Sequence, residues 1–294
     1  MHLNFSFPGF PDITSSWLFV RHLGHLPYIV FLGNYRIFSA QSIKNFYTSD
    51  DVKFVEWFPY YQDIRQQFGY STEKDQEAAE VLSNMIKRKA LDTRALQRKI
   101  NGKSVMVIGA GPSLEKNIRN LKQRKYRNYI KLVANGAVQA LIENKIRPDI
   151  VVTDLDGNLP FLRKAEKIGA IMVVHAHGDN IEMLKKVIPK LHRLIGTTQV
   201  MPTENVYNFG GFTDGDRSVF LAEEFGAKQI ILLGMEFGPQ VGRYSKDTVK
   251  DIELKQRKMQ VGKKLLIMLA KRSRSQLFDA SPRQVKGFKQ YRLR

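Results

Sequence analysis

The chain contains no cysteine. That excludes disulfide staples, thiolate metal sites and cysteine nucleophiles, and it agrees with a cytoplasmic setting. Long hydrophobic runs are missing as well. The nearest approach, residues 17–32, is interrupted by Arg21, His22, Gly24, His25 and Pro27, so no stretch has the length and purity of a membrane span. The N-terminus has neither the basic start nor the small-residue cleavage site of a secretory signal. Acidic residues are scarce beside basic ones: 28 Asp and Glu against 47 Lys and Arg, a formal charge of +19. A field of that sign attracts nucleotides, nucleic acid or anionic membranes, or simply keeps the protein in solution. With 43% hydrophobic and 26% charged residues among 294, the composition is that of a globular protein of one or two domains.

What is present centres on Ile150-Val151-Val152-Thr153-Asp154-Leu155-Asp156-Gly157. The apolar, β-branched run reads as a buried strand that ends in two carboxylates. Side chains two apart on a strand share a face, which predicts that Asp154 and Asp156 converge beyond its carboxyl end. In open α/β sheets ligands bind at that edge. Two carboxylates held together call for a cation, and Mg²⁺ with substrate phosphates is the usual solution. The bland alternative is a solvated Asp-Gly turn. Asp149 lies at the strand's other end, about 16 Å away at about 3.3 Å per residue, and reads as a turn residue.

Residues 1–52 are rich in aromatics and prolines and sparse in charge, with no sustained period. They read as a poorly ordered extension, as a start codon placed too far upstream would produce, though their apolar content leaves partner or membrane-surface docking open. Residues 53–100 form a small helical cap: Gly69 stops one helix, and Ser71-Thr72-Glu73-Lys74 opens another with capping-box chemistry. From residue 101 to 294 strands and helices alternate. This pattern predicts an α/β fold, a Rossmann-like, mostly parallel sheet with flanking helices. Expected strands are 104–108, 130–134, 150–153, 171–174, 193–195 and 229–233, with an edge strand at 276–278. Expected too are a helix capped by Asp179 and reaching Leu191, a helix over 218–225, a long basic helix over 249–271 and a partly disordered basic tail from Arg272.

Polar and glycine-rich loops follow strand after strand, as a nucleotide site at one sheet edge requires. Gly109-Ala110-Gly111-Pro112-Ser113 offers backbone amides to phosphate at a helix N-terminus, without the third glycine of a dinucleotide fingerprint or a Walker lysine. Asn135-Gly136 opens the helix after the second strand. His175 and His177 share a face with Asp179 nearby; without a third placed ligand they suit hydrogen bonding to phosphate or a heterocycle better than zinc. Thr213-Asp214-Gly215-Asp216-Arg217 adds two carboxylates, either of which suits a Mg²⁺ site, and an arginine able to grip phosphate in a bidentate fork. Asp214 as a plain helix cap is the simpler reading. Together these groups describe phosphoryl transfer by positioning and charge neutralisation.

These loops, in this order, resemble the archaeal 6-hydroxymethyl-7,8-dihydropterin pyrophosphokinase family. The residues carrying the likeness are Gly109 to Ser113, Asn135-Gly136-Ala137, Asp154-Leu155-Asp156-Gly157, His175 to Asn180, Thr197-Thr198-Gln199 and Asn208 to Arg217. A more distant similarity to thiamin pyrophosphokinase lies in Ala134 to Ala137, Arg147-Pro148-Asp149, Thr153 to Asp156 and Thr213-Asp214. Glu236, where an aspartate is expected, departs from the pattern. The resemblance implies Mg²⁺-dependent transfer of diphosphate from ATP to the pterin alcohol, releasing AMP, in folate or methanopterin biosynthesis. It implies a metal site at Asp154 and Asp156 with Asp214 or Asp216. Phosphate contacts would come from Gly109, Gly111, Ser113, Asn135, Gly136, Arg217 and a basic residue such as Lys263, and pterin contacts from His177, Asp179, Asn180 and Gln199. Partners would be small molecules, with a homodimer left open and no membrane. A related transferase acting on thiamin or another nucleotide-linked substrate is the nearest alternative. An RNA-binding protein ranks below both, because basic patches do not explain ordered aspartates.

Overall fold

The computed structural model describes residues 18–23, 26–31, 49–238, 240, 242–246 and 252–293, with side chains from residue 56 onward except Lys246. The chain divides into two compact units, Met1–Val55 and Glu56–Arg294. In the first, strands β1 (Leu18–Leu23) and β2 (Leu26–Phe31) pair antiparallel, Leu18 opposite Phe31. Sequence reading predicts no regular element there, because ladders of six residues leave no long period. Most of the predicted extension 1–52 lies outside the described residues.

Helix α1 (Ser49–Phe68) runs on into the second unit. Helix α2 (Thr72–Ile86) starts as predicted: Ser71 Oγ accepts the Lys74 amide hydrogen at 3.2 Å. It buries Ala78, Ala79, Leu82 and Ile86 along one stripe, the i, i+4 spacing of an amphipathic helix. After α3 (Arg94–Ile100) the sheet begins.

Its strands are β3 (Ser104–Ile108), β4 (Ile130–Ala134), β5 (Ile150–Thr153), β6 (Ile171–Ala176), β7 (Leu194–Thr198), β8 (Val206–Tyr207), β9 (Gln229–Leu233), β10 (Gln276–Asp279) and β11 (Lys289–Gln290). They lie in the order β11-β10-β9-β3-β4-β5-β6-β7-β8, and every pairing is parallel. Parallel strands covered on both faces must be apolar throughout, which is why β5 is buried at all four positions. The chain moves from β3 to β8 in one direction, then returns to lay β9 on the other side of β3. Loops leaving β3 and β9 therefore diverge, and a crevice opens at the carboxyl edge.

Three expectations are corrected. β6 and β7 run two and three residues further than predicted, because their polar ends His175, Thr197 and Thr198 are buried rather than turned to solvent. β10 is not an edge strand; it pairs with β9 and β11. The basic tail is built into the sheet, with Val285 and Phe288 buried beneath it. Among the described residues no helix is long and apolar enough to cross a membrane.

Candidate active site

β5 ends at Thr153, whose Oγ1 accepts the Leu155 amide hydrogen at 2.9 Å. Leu155 takes a left-handed backbone (φ 71°) and is fully buried, so packing holds a conformation that a leucine otherwise avoids. Asp154 and Asp156 thus meet through a tight turn rather than through strand alternation. Asn135, just past β4, ties them together: its Nδ2 donates to Asp156 and lies 3.5 Å from Asp154 Oδ1. Gly157 allows this approach, since a Cβ there would stand 2.1 Å from Asn135 Oδ1. The two carboxylates shift in opposite directions. Burial and the Asp154 charge push Asp156 up to about 7. For Asp154 burial acts upward too, but His177 and the Asp156 groups outweigh it and hold the carboxyl below its ordinary value.

β6 carries His175 inside the strand and His177 just beyond it. Asn180 pins this corner, donating to the carbonyls of Asp154 and His175 at 2.8 Å each and accepting from the His177 amide at 3.1 Å. His177 Nε2 stands 3.8 Å from Asp154 Oδ2. The His177 ring, not Asp179, caps the short turn Gly178–Asn180 that leads into the helix Ile181–Val187. Asp179 is exposed and does not line the cleft. Both Asn180 side-chain atoms are spent internally. Neither residue lines the cleft, where the expectation places both. Gln199 does line the cleft, but its side-chain amide donates to Asp75 Oδ2 at 2.8 Å, and its backbone carbonyl accepts the Trp57 indole N–H at 2.9 Å. Asp75, buried on α2, also accepts from Tyr61 and from the Gly178 amide, so the helical cap is hydrogen-bonded into the rim of the site.

The second acidic pair begins the helix Asp214–Glu224, four residues earlier than predicted. Asp216 is fully buried and accepts from the amides of Phe212 (2.6 Å) and Thr213 (2.9 Å) and from the Thr213 hydroxyl. It is a capping residue, not a candidate metal ligand. Asp214 lines the cleft, and burial with the Asp154 and Asp156 charges pushes it well above the carboxylate range. Arg217 is 3% exposed and does not line the cleft. Its guanidinium donates to the Phe212 carbonyl at 2.9 Å and serves as a buried counter-charge to the neighbouring aspartates rather than as an exposed fork.

The Gly109–Ser113 turn also departs from expectation. Gly109, Ala110 and Gly111 line the cleft, but three amides of the turn are already engaged: Gly109 donates to the Leu233 carbonyl at 2.9 Å, Gly111 to Gly234 at 2.8 Å, and Ser113 to Glu236 Oε2 at 3.4 Å. The glycines are required for packing, since a Cβ at Gly109 would meet the Gly234 carbonyl at 2.6 Å. Positive charge comes instead from the long helix Ile252–Ala270, where Lys255 and Lys258 line the cleft and Lys263 does not. Lys255 Nζ donates to Ser245 Oγ at 2.7 Å, and burial lowers its ordinary pKa against the pull of Asp156. The sequence predicts this basic helix and names Lys263 on it as a phosphate contact; the i, i+3 spacing of Lys255 and Lys258 is the signal that points to the pair lining the cleft. Tyr70 from the cap and Phe212, ring centroids 6.2 Å apart, complete the wall. The cleft holds about 630 Å³.

Among the described residues no three His, Asp or Glu side chains are gathered closely enough to enclose a metal unaided. The fit to Mg²⁺ is nevertheless good. Asp154 and Asp156 are hard oxygen donors that crowd one another, and Mg²⁺ commonly takes one or two carboxylates and completes its shell with water and substrate phosphate.

The site is thus a cleft at the carboxyl edge of an open α/β sheet, with acids and lysines in its lining. The model of the family described as 6-hydroxymethylpterin diphosphokinase MptE-like matches residues 78–242, and the chain belongs to that family. The 6-hydroxymethyl-7,8-dihydropterin pyrophosphokinase of Methanocaldococcus jannaschii is 43% identical over 224 residues, covering 72% of this chain and 93% of that protein. The enzyme of the same name from Pyrococcus furiosus is 42% identical, covering 78% and 100%. That from Methanothermobacter thermautotrophicus is 40% identical, covering 65% and 81%. Among solved structures, a MAf glycosyltransferase from Magnetospirillum magneticum AMB-1 aligns with a TM-score of 0.42 and 15% identity, over 72% of this chain and 38% of that one.

Proposed function

We propose that this protein is a cytoplasmic, Mg²⁺-dependent enzyme that transfers diphosphate from ATP to 6-hydroxymethyl-7,8-dihydropterin, giving the pterin diphosphate and AMP for folate or methanopterin biosynthesis. The observation that carries the reading is the Asp154–Asp156 pair, locked by Asn135 and facing Lys255 and Lys258 across one cleft.

The hydroxymethyl oxygen attacks the β-phosphorus of ATP. A new O–P bond forms as the alcohol releases its proton to solvent, the bond between the β-phosphorus and the oxygen bridging to the α-phosphate breaks, and AMP leaves with that oxygen. Asp154 and Asp156, with Asp214 beside them, would hold Mg²⁺, which when bound draws charge from the triphosphate oxygens. Lys255 and Lys258 neutralise the remaining phosphate charge, which is the main demand of phosphoryl transfer. Arg217 balances the aspartates from below. His177 orients Asp154, and Tyr70 and Phe212 offer flat apolar surface to the pterin ring.

The test is incubation with ATP, Mg²⁺ and the pterin alcohol, with phosphorus NMR of the products, in parallel with thiamin. Pterin diphosphate and AMP are expected. AMP formed only with thiamin would move the protein to the neighbouring transferase, and no turnover with either would remove the proposal.

A further inference from the structure

His175 and His177 meet the cleft with opposite ring nitrogens. Thr197 Oγ1 lies 3.4 Å from His175 Nδ1 and gives its own hydrogen to the Val174 carbonyl, also at 3.4 Å. A hydroxyl has one hydrogen, so Thr197 can only accept from His175. The network therefore assigns the proton of neutral His175 to Nδ1 and leaves Nε2 a bare lone pair. That nitrogen is buried and has no hydrogen-bond partner among the described residues, while the side chain is 3% exposed and lines the cleft. His177 is reversed. Its Nδ1 accepts the Asp179 amide hydrogen at 3.3 Å, so its proton sits on Nε2, toward Asp154.

A bare lone pair repels phosphate oxygen and needs a donor. Burial keeps the His175 ring neutral, and the charge of Arg217 adds to that effect. Along the sheet edge the acids follow β5, His175 stands on β6 and Gln199 follows β7, so this acceptor lies beyond the acids, on the side where the cap is tied in through Asp75. We infer that His175 Nε2 accepts a hydrogen bond from a ring N–H or exocyclic amino group of the planar heterocyclic substrate and is a specificity-determining residue of the cleft. The inference rests on the pterin reading above. A buried acceptor is expensive to leave unmade, so a substrate lacking the donor would be rejected strongly.

Two measurements on the full-length protein test it. The first is nitrogen-15 NMR of histidine-labelled protein, titrated with 6-hydroxymethyl-7,8-dihydropterin without ATP. His175 Nε2 is expected to appear unprotonated in the free protein and to move in the hydrogen-bonded direction as the pterin is added. A proton found on Nε2, or a resonance that stays still while the pterin binds, overturns the inference. The second is kinetics of His175→Phe and His175→Gln. The phenylalanine variant is expected to raise KM for the pterin alcohol about 10- to 100-fold, with KM for ATP and kcat near wild type. Glutamine, which brings an acceptor oxygen to a similar reach, is expected to recover part of that loss. A fall in kcat alone would make His175 the acceptor of the alcohol proton instead, and an equal loss for ATP would make it structural; either result overturns the inference. Should His175→Phe not fold, the glutamine variant and the wild-type spectrum decide. Absence of turnover by the wild-type protein would strike the proposed function itself, whereas wild-type turnover with unchanged His175 variants strikes only this inference.

Discussion

Two Asp-x-Asp segments with identical spacing reach this site and meet different fates. Asp154 and Asp156 follow a strand, share the side-chain amide of Asn135 and keep carboxylate oxygens turned to the cleft. Asp214 and Asp216 start a helix, where spacing of two puts side chains on different faces. Only Asp214 looks into the cleft; Asp216 closes a capping box with Thr213 beneath it. The backbone that follows an acidic residue decides whether its carboxylate serves a ligand or the fold. Near-identical motifs can therefore carry opposite predictions.

The largest expected effect tests that difference directly. Asp154→Asn or Asp156→Asn should lower kcat/KM by about 10³-fold, the range for removing a main electrostatic group, with the melting temperature of the metal-free protein unchanged or raised for Asp156→Asn and at most slightly lowered for Asp154→Asn. Asp216→Ala should do the reverse. It strips three hydrogen bonds from a buried carboxylate and leaves Arg217 short of a counter-charge, so a loss of about 3–5 kcal/mol is expected, read as a fall of roughly 6–15 °C in melting temperature. Equal unfolding by all three variants would erase the distinction. Next in size, Lys255→Met should cost about 10²-fold in turnover while circular dichroism stays native, because Lys255 spends its charge in the cleft. An active Lys255→Met enzyme would place the triphosphate elsewhere.

The strands β3, β4, β5 and β9 are readable in the sequence to the residue, since buried β-branched runs bounded by glycine or polar turns permit little else. So are the cap of α2 and the meeting of Asp154 with Asp156. What escaped reading depends on tertiary contacts. Nothing near Gly111 announces that Glu236, more than a hundred residues later, sets its carboxylate against the Ser113 amide. The same holds for Asn180 and Asp216, whose polar side chains look available until their backbone partners are known. Lys255 and Lys258 lie on a helix rich in lysine and arginine, and only its docking over the sheet edge distinguishes them from Lys263. The two-residue strands β8 and β11 are too short to show a period.

The smallest expected effect concerns protons and sharpens the comparison within the first pair. Asp156 is raised to about 7 by burial and by the Asp154 charge, whereas in the unfolded chain it titrates near 3.8. A carboxyl raised in the folded state favours folding while protonated, so its contribution is present below the unfolded value and is lost as pH climbs through about 7. Metal-free wild-type protein should therefore lose stability relative to Asp156→Asn between about pH 4 and pH 7, the two melting curves drawing apart over that window and running parallel above it. Adding Mg²⁺ at pH 8 should bring wild type back toward the variant, because a cation between the carboxylates relieves the same repulsion, and it should leave Asp156→Asn nearly unmoved. A gap between the curves that ignores both pH and Mg²⁺ would mean that Asp154 and Asp156 do not share charge across the cleft. They would then belong with Asp216, as carboxylates committed to the fold.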